Sequence, residues 1–450
     1  MVFCLAFVQF AGLRWNSFIT ISLYGGLFAW VVLLAWRQRA LLSGLGAIDT
    51  LFCVFVLWVF TSLLIQGPDQ VAWRFGRYLP FLVILPYVCG RLMRAFDLRL
   101  FYNIIMGGSV VLLMLLAFDY WQHLSTLKIY SRWPFFGHDY AVLLVAMLLA
   151  ASLVIFSFFF LTGPGKSCRE LSSRQLVQLG ILGLIAAALV AAASRGALLV
   201  GIFGTLCVVL LVKYRSFSSK FQFLLFLAVI MSSAYLLLPK QQAQIYAKSL
   251  ALPDTALVTH SRTLVWGSGD LVGGTWDPRT RHPAAKAGER AGRESVPIFG
   301  ASSCRPIEQG VDSIAIRFVF YQEAKAMFIN SPLWGVGPAS FGRYSCAGVM
   351  GYPHSTILQS FAELGIVGGL LYCGLLIVAL VNFIRQTVTS GAKTENAVEK
   401  LTLSLFVMYL LTDQLYGNYF MAVGSYFMIG VAASRRANPA WNAAPELGNA

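Results

Sequence analysis

Apolar residues run along this chain in long unbroken stretches separated by short polar connections. Stretches of this kind cover 2–13, 17–36, 47–65, 76–90, 100–120, 137–161, 176–193, 196–212, 220–238, 356–384, 399–415 and 418–434. About 20 such residues cross the hydrocarbon core of a bilayer as a helix. The runs are continuous rather than alternating, which argues against a membrane β-barrel. The pattern predicts an all-α polytopic membrane protein with about 12 transmembrane helices. One long polar segment interrupts it, dividing the chain into 1–238 with about nine helices, a loop domain over 239–355, and 356–450 with about three helices and a tail. The first stretch is short. Its competing reading is a cleaved signal peptide, but no basic residue precedes Val2–Phe10.

Composition agrees with this class. Hydrophobic residues make up 58% and charged residues 12%, and the mean hydropathy is +0.71. Soluble domains carry roughly a quarter charged residues. The net charge of +15 would suit nucleic acid, but its placement speaks for a membrane orientation instead. With the N-terminus inside, one set of connections holds sixteen basic residues: Arg37, Arg39, Arg91, Arg94, Arg99, Lys166, Arg169, Arg174, Lys213, Arg215, Lys220, Arg385, Lys393, Lys400, Arg435 and Arg436. The opposite short connections hold only Arg14, Arg74, Arg77, Lys128, Arg132 and Arg195. The positive-inside rule then puts both termini in the cytoplasm and 239–355 outside, in the periplasm of a Gram-negative cell. Only Cys304 and Cys346 fall in that external segment, where a disulfide and two free thiols are both open readings.

Candidate chemistry gathers on the external side. Ala72–Arg77 and the aromatic loop Asp119–Asp139, with His123 and His138, read first as interfacial anchors. Ser194–Leu198, SRGAL, joins two apolar runs with almost no loop. Arg195 is thereby held at the membrane surface, where an arginine requires an anionic partner, and Gly196 permits close backbone approach. Gly267–Gly310 shows little apolar periodicity and reads as a loop. Asp312 or Ser313 is expected to cap a helix running to about Ile329. Ile316, Val319, Phe320, Ala324, Met327 and Phe328 form its apolar stripe, and Arg317, Tyr321 and Lys325 its polar face. Such an amphipathic helix suits a membrane surface. Gly335 and Gly337 in PLWGVGPASF suggest a tight turn or an anion-binding nest.

The stretch Tyr352–Gly369, YPHSTILQSFAELGIVGG, follows. Pro353 and Ser355 mark a helix start, Ser355 as N-cap. Two turns further on, Glu363 lies about 13 Å down the expected helix from His354 at 1.5 Å per residue, too deep for chemistry at the surface and read as a buried, hydrogen-bonded acid. Asp413 lies near the last external turn with Gln414, Tyr416, Asn418 and Tyr419, and is a candidate partner for Arg195 or Arg317. Two guanidinium groups suit a pyrophosphate, and a histidine is suited to accept a proton from a sugar hydroxyl. The implied chemistry is glycosyl transfer from a lipid-pyrophosphate donor. No Asp-x-Asp and no histidine–carboxylate ligand cluster stands on the external side, so the simpler expectation has no metal and no cofactor.

These positions resemble the bacterial O-antigen ligases, within the superfamily that also holds O-antigen polymerases and protein O-oligosaccharyltransferases. The resemblance is carried by His354-Ser355, nine residues, then Gly365-x-x-Gly368; by Ala362–Ile366; by Arg195-x-x-Leu198; and by Asp312-Ser313 with Arg317, followed by Pro332–Gly337. It covers about 185–215 and 312–370. It implies a GT-C-like glycosyltransferase of the inner membrane. Such an enzyme moves O-antigen polysaccharide from undecaprenyl pyrophosphate to lipid A-core oligosaccharide, with inversion, in lipopolysaccharide biosynthesis. By the same resemblance His354 is catalytic, activating or orienting the acceptor, and Arg195 and Arg317 bind the pyrophosphate. Tyr321, Tyr352, Ser355, Asp312 and Asp413 are supporting candidates. Membrane lipids are the remaining partners expected, and nucleic acid is not. Gly267–Gly310 has no counterpart in the resemblance. A polymerase or a protein oligosaccharyltransferase would use the same chemistry. A transporter would call for charged or broken helices near the midplane and an internal repeat, neither of which stands out.

Overall fold

The computed structural model describes residues 45–66, 79–93, 95–123, 139–162, 172–192, 194–212, 216–238, 313–345, 352–389, 396–419 and 422–437. Helix is the only regular structure among them: α1 Ala47–Gln66, α2 Leu85–Leu92, α3 Ala95–His123, α4 Asp139–Thr162, α5 Ser173–Ala191, α6 Arg195–Leu211, α7 Phe217–Leu236, α8 Ser313–Asn330, α9 Phe341–Tyr344, α10 Thr356–Thr389, α11 Asn396–Tyr416 and α12 Val423–Ala437. The expected runs at 2–13 and 17–36, the Ala72–Arg77 feature, most of the aromatic loop, Gly267–Gly310, Cys304, Cys346 and Asp312 lie outside the described residues.

Five of the described helices are long and apolar enough to cross a membrane, over Ala47–Ile65, Leu100–Asp119, Val145–Thr162, Phe217–Leu236 and Thr356–Val388. Shorter apolar helices join them at Pro80–Leu92, Gln175–Ala191, Arg195–Leu211 and Val423–Ser434. Outward faces carry large apolar side chains, among them Leu57 and Leu64 on α1, Phe203 and Leu210 on α6, and Leu370 and Ile377 on α10. Apolar faces this extensive are at home in lipid rather than water. The chain is a multi-pass α-helical membrane protein.

Helix α4 is the buried centre, with Leu149, Leu153, Val154 and Ile155 fully enclosed. It packs on α5 and α6, and α6 in turn packs on α11. A second group forms where α12 lies on α2 and α1 on α10. The α2–α12 pair is close because it is glycine-lined: a side chain on Gly90 would strike the Phe427 carbonyl, and one on Gly430 the Tyr87 carbonyl. A π-helical turn, Pro80–Ile84, leads into α2. Pro86 has no N–H to donate backwards, and the widened turn comes just before it. Asp49, near the start of α1, accepts from the Gly46 N–H at 2.8 Å. Its other oxygen takes Arg91 Nε at 3.0 Å and Tyr87 OH at 2.6 Å. A buried ion pair with this many donors ties α1 to α2.

The expected single span over 356–384 is two helices. Gly365 breaks α10 with φ 68° and ψ −167°. Three carbonyls at the end of the first part are taken from outside the helix. Ala362 O accepts from Val336 N and Glu363 O from Gly337 N, both at 2.9 Å. Leu364 O accepts from the Trp58 indole at 3.0 Å. On the other side of the break Ile366 N donates to Pro332 O at 2.7 Å. The turn 331–341 therefore acts as the cap of a broken helix. Gly335 and Gly365 both have positive φ and meet backbone to backbone. A side chain on Gly335 would strike the Glu363 carbonyl, and one on Gly365 the Leu333 carbonyl.

The segment before the break forms a second small core. Phe320, Ala324 and Met327 of α8 are buried with Val336, Phe341 and Ala362. Phe328 packs edge-on against Phe361 with centroids 5.6 Å apart. The predicted stripe is thus correct over Phe320–Phe328, but protein covers it. Helix α8 does not spend this face on a membrane surface.

Candidate functional site

The site lies where α6 begins, α11 ends and the turn before α10 arrives. Arg195 is the first residue of α6, and Ser194 precedes it in extended conformation. Tyr416, the last residue of α11, reaches this helix start. Its hydroxyl accepts from Gly196 N at 2.8 Å and lies 3.2 Å from Ser194 Oγ. A side chain on Gly196 would overlap the Tyr416 ring, so the close approach expected at Gly196 is real and its occupant is tyrosine. The Arg317 guanidinium sits over the same ring, its carbon 5.2 Å from the centroid. Two elements bearing candidate cations thus touch one side chain.

His354 stands at the turn into α10 with φ 53°. A non-glycine residue in the left-handed region is uncommon and marks either a tight turn or a functional constraint. Here the turn is fixed on its far side. Ser355 Oγ accepts from Leu358 N at 3.3 Å, the expected N-cap. It also donates to Gln414 Oε1 at 2.7 Å, and Gln414 Nε2 donates to Thr356 Oγ1 at 2.9 Å. The imidazole lies between Tyr352, 4.3 Å between centroids, and Phe320, 6.0 Å. Its Nδ1 is buried and has no hydrogen-bond partner among the described residues. Burial first, and then the charge of Arg317, push His354 down to about 4. The ring is therefore neutral near pH 7 and able to accept a proton. Burial raises Tyr352, with Arg317 opposing.

The remaining candidates separate. Tyr321 is half-buried one turn beyond Arg317 and has no hydrogen-bond partner among the described residues. Asp413, the candidate partner for Arg195 or Arg317, is buried, and its carboxylate accepts from the Ser425 hydroxyl of α12. Glu363 is fully buried and hydrogen-bonded, as its depth suggested, but chiefly to the loop rather than to a neighbouring helix. It accepts from Ala339 N at 2.6 Å, Phe341 N at 3.0 Å, Tyr419 OH at 2.9 Å and Gln359 Nε2 at 3.1 Å. The break at Gly365 also puts it at the end of a separate helix, not partway down a span.

The glycine turn does form an anion-holding arrangement, but the anion is Glu363 of the chain itself. Val336 N and Gly337 N are used on α10 carbonyls, leaving none of these N–H groups for a phosphate. In the sequence Gln414 and Tyr416 stood only among the polar residues beside Asp413, with no role assigned, and Glu323 was not singled out. Glu323 is buried on α8 and accepts from Ser345 Oγ at 2.6 Å. The one signal for the first two was a run of polar side chains closing an apolar helix. Among the described residues no group of histidine, cysteine and carboxylate side chains is arranged to hold a metal ion.

Arg317 and the helix start at Arg195 thus meet on Tyr416, and His354 stands close enough to feel the Arg317 charge. Residues 180–373 match the family model described as O-antigen ligase. That span contains Arg195, Arg317 and His354, and the match supports membership of the O-antigen ligase and polymerase family. No curated protein matches it closely enough to count as a relative.

Proposed function

We propose that this protein is an O-antigen ligase of the Gram-negative inner membrane. It takes O-antigen polysaccharide from undecaprenyl pyrophosphate and joins it to lipid A-core oligosaccharide. The site faces the periplasm and both termini face the cytoplasm, as the distribution of basic residues favours. The observation that carries the reading is the meeting of Arg317 and the Arg195 helix start on Tyr416, with His354 close enough to feel the Arg317 charge.

In this reading an acceptor hydroxyl gives its proton to the neutral His354 imidazole as its oxygen attacks the anomeric carbon from the face opposite the leaving group. The bond from that carbon to the pyrophosphate oxygen breaks, and the electron pair leaves with the pyrophosphate. The configuration inverts. The leaving group is already a weak base, so charge stabilisation matters more than proton donation to it. Arg317 and Arg195 supply that charge, and the N–H groups at the start of α6 add a partial positive field. Tyr352 and Phe320 exclude water from the imidazole.

A polymerase would use the same groups, so the products decide. Deleting the gene leaves long polymer on undecaprenyl pyrophosphate and unextended core if the protein is a ligase. A single repeat unit on the core identifies a polymerase instead. His354→Ala, Arg195→Ala and Arg317→Ala each reproduce the deletion while the protein stays in the membrane. Full-length capped lipopolysaccharide from all three variants would overturn the site.

A further inference from the structure

We infer that Tyr416 is the positioning residue that presents both candidate pyrophosphate-binding cations to a single ligand, a role that rests on the lipid-pyrophosphate reading above. Its ring carries the Arg317 guanidinium. Its hydroxyl takes the Gly196 N–H and approaches Ser194 Oγ, the residues on either side of Arg195. Arg195 is thus flanked by a backbone N–H and a serine hydroxyl that both meet Tyr416, and Arg317 is held by its charged end. Neither contact of Tyr416 brings a carboxylate to these residues. A carboxylate in this place would neutralise the site it organises.

The residue type follows from the geometry. Phenylalanine would still carry Arg317 but would leave Gly196 N–H without its acceptor. Serine or glutamine would serve the N–H and leave Arg317 unsupported. The contact also explains glycine at 196, where any side chain would displace the ring. Two residues earlier on the same turn, Gln414 holds Ser355 and Thr356. The end of α11 therefore fixes the cations and the histidine turn from one rigid element.

The test is binding of undecaprenyl pyrophosphate to the full chain purified in detergent, measured only on monodisperse protein. Cation–π support of this kind is worth about tenfold in affinity. Tyr416→Leu is expected to weaken binding by about tenfold, and Tyr416→Phe by about threefold. Gly196→Ala, which moves the ring without altering it, is expected to match Tyr416→Leu. It also keeps the test alive if the leucine variant does not fold. In an Arg317→Ala background, Tyr416→Leu should add less than about twofold, because the two act through one contact. Losses that multiply, or Tyr416→Leu and Gly196→Ala binding like the parent while Arg317→Ala binds weakly, overturn this role alone. A parent protein that does not bind the lipid, or an Arg317→Ala variant that binds it equally well, overturns the lipid-pyrophosphate reading and this inference with it. A merely structural tyrosine would lower the yield of folded protein and leave the affinity of the folded fraction unchanged.

Discussion

Glu363 and Ala339 are joined by a 2.6 Å hydrogen bond from the Ala339 N–H to the Glu363 carboxylate, across 24 positions of chain. With Phe341 N, Gln359 and Tyr419 on the same carboxylate, one side chain fixes the shape of the turn before the histidine. Glu363→Gln puts an amide N–H₂ against donors that need an acceptor. A cost of roughly 2–3 kcal/mol is expected from the donors left unsatisfied. The thermal midpoint in detergent should fall clearly, and an unchanged midpoint would show that the carboxylate does not hold the turn.

Gly335 and Gly365 should tolerate no side chain. Gly365→Ala and Gly335→Ala each combine a positive φ with a collision against backbone, where nothing yields cheaply. Each is expected to cost several kcal/mol and to abolish folded protein, as read by recovery of monodisperse material. Gly107→Ala is the comparison. It sits on α3 with open space around it and should be recovered at the parent level.

Acid behaviour follows from His354. Its folded value, about 4, lies below the ordinary 6.5, through burial and then Arg317. Between those pH values the unfolded chain binds the proton and the folded chain does not. This histidine's contribution to stability is therefore complete above pH 6.5 and is lost as pH falls toward 4. The imidazole resonance of His354 should titrate near 4 in the parent and at higher pH in Arg317→Ala. A resonance titrating near 6.5 in both would contradict the burial of the ring.

Gln414→Leu removes both hydrogen bonds to the start of α10 without removing any group proposed to touch substrate. Loss of the two bonds costs roughly 1–3 kcal/mol of local order. Transfer to lipid A-core should slow by about tenfold if that order is needed at the histidine. Gln414→Glu, which keeps the acceptor for Ser355, should recover part of the rate. Equal rates in Gln414→Leu and the parent would show that the histidine turn holds itself.

The Asp49–Arg91 pair is a separate case, far from the site in sequence and buried at 5% and 3% exposure. Breaking it by Arg91→Met leaves a buried carboxylate with no cation, at a cost of about 3–5 kcal/mol. Asp49→Leu with Arg91→Met should regain much of this in a melting experiment. If the double variant is no more stable than the single one, the ion pair is not the source of the loss.

Much of the fold was legible in the sequence because membrane helices announce themselves locally. The stretches at 47–65, 137–161 and 196–212 reappear within a few residues as α1, α4 and α6. Ser355 as a cap and Gly196 as a point of close approach were also readable, since a cap and a missing side chain are local facts. The break at Gly365 was not. A glycine in an apolar run is ordinary inside a membrane helix, and what makes this one a hinge is Gly335 and Leu333, thirty residues earlier. The hydrogen bond of Asp413 was not legible for a related reason. Its depth was visible, but its partner, Ser425, depends on which helix packs beside α11. Tyr416 carried no signal apart from its place at the end of an apolar helix, because its role is entirely one of contacts with residues 220 and 99 positions away.

The position of Tyr416 late in the chain bears on when the enzyme acquires activity during synthesis. Arg195, Arg317 and His354 all leave the ribosome before it, but the element that joins them follows. A partly made chain that has already inserted its histidine turn would hold three unaligned groups beside a membrane carrying activated polymer. Alignment waits for α11 to insert. On the proposed function, placing the connecting residue there keeps an unfinished chain from spilling a lipid-linked donor to water.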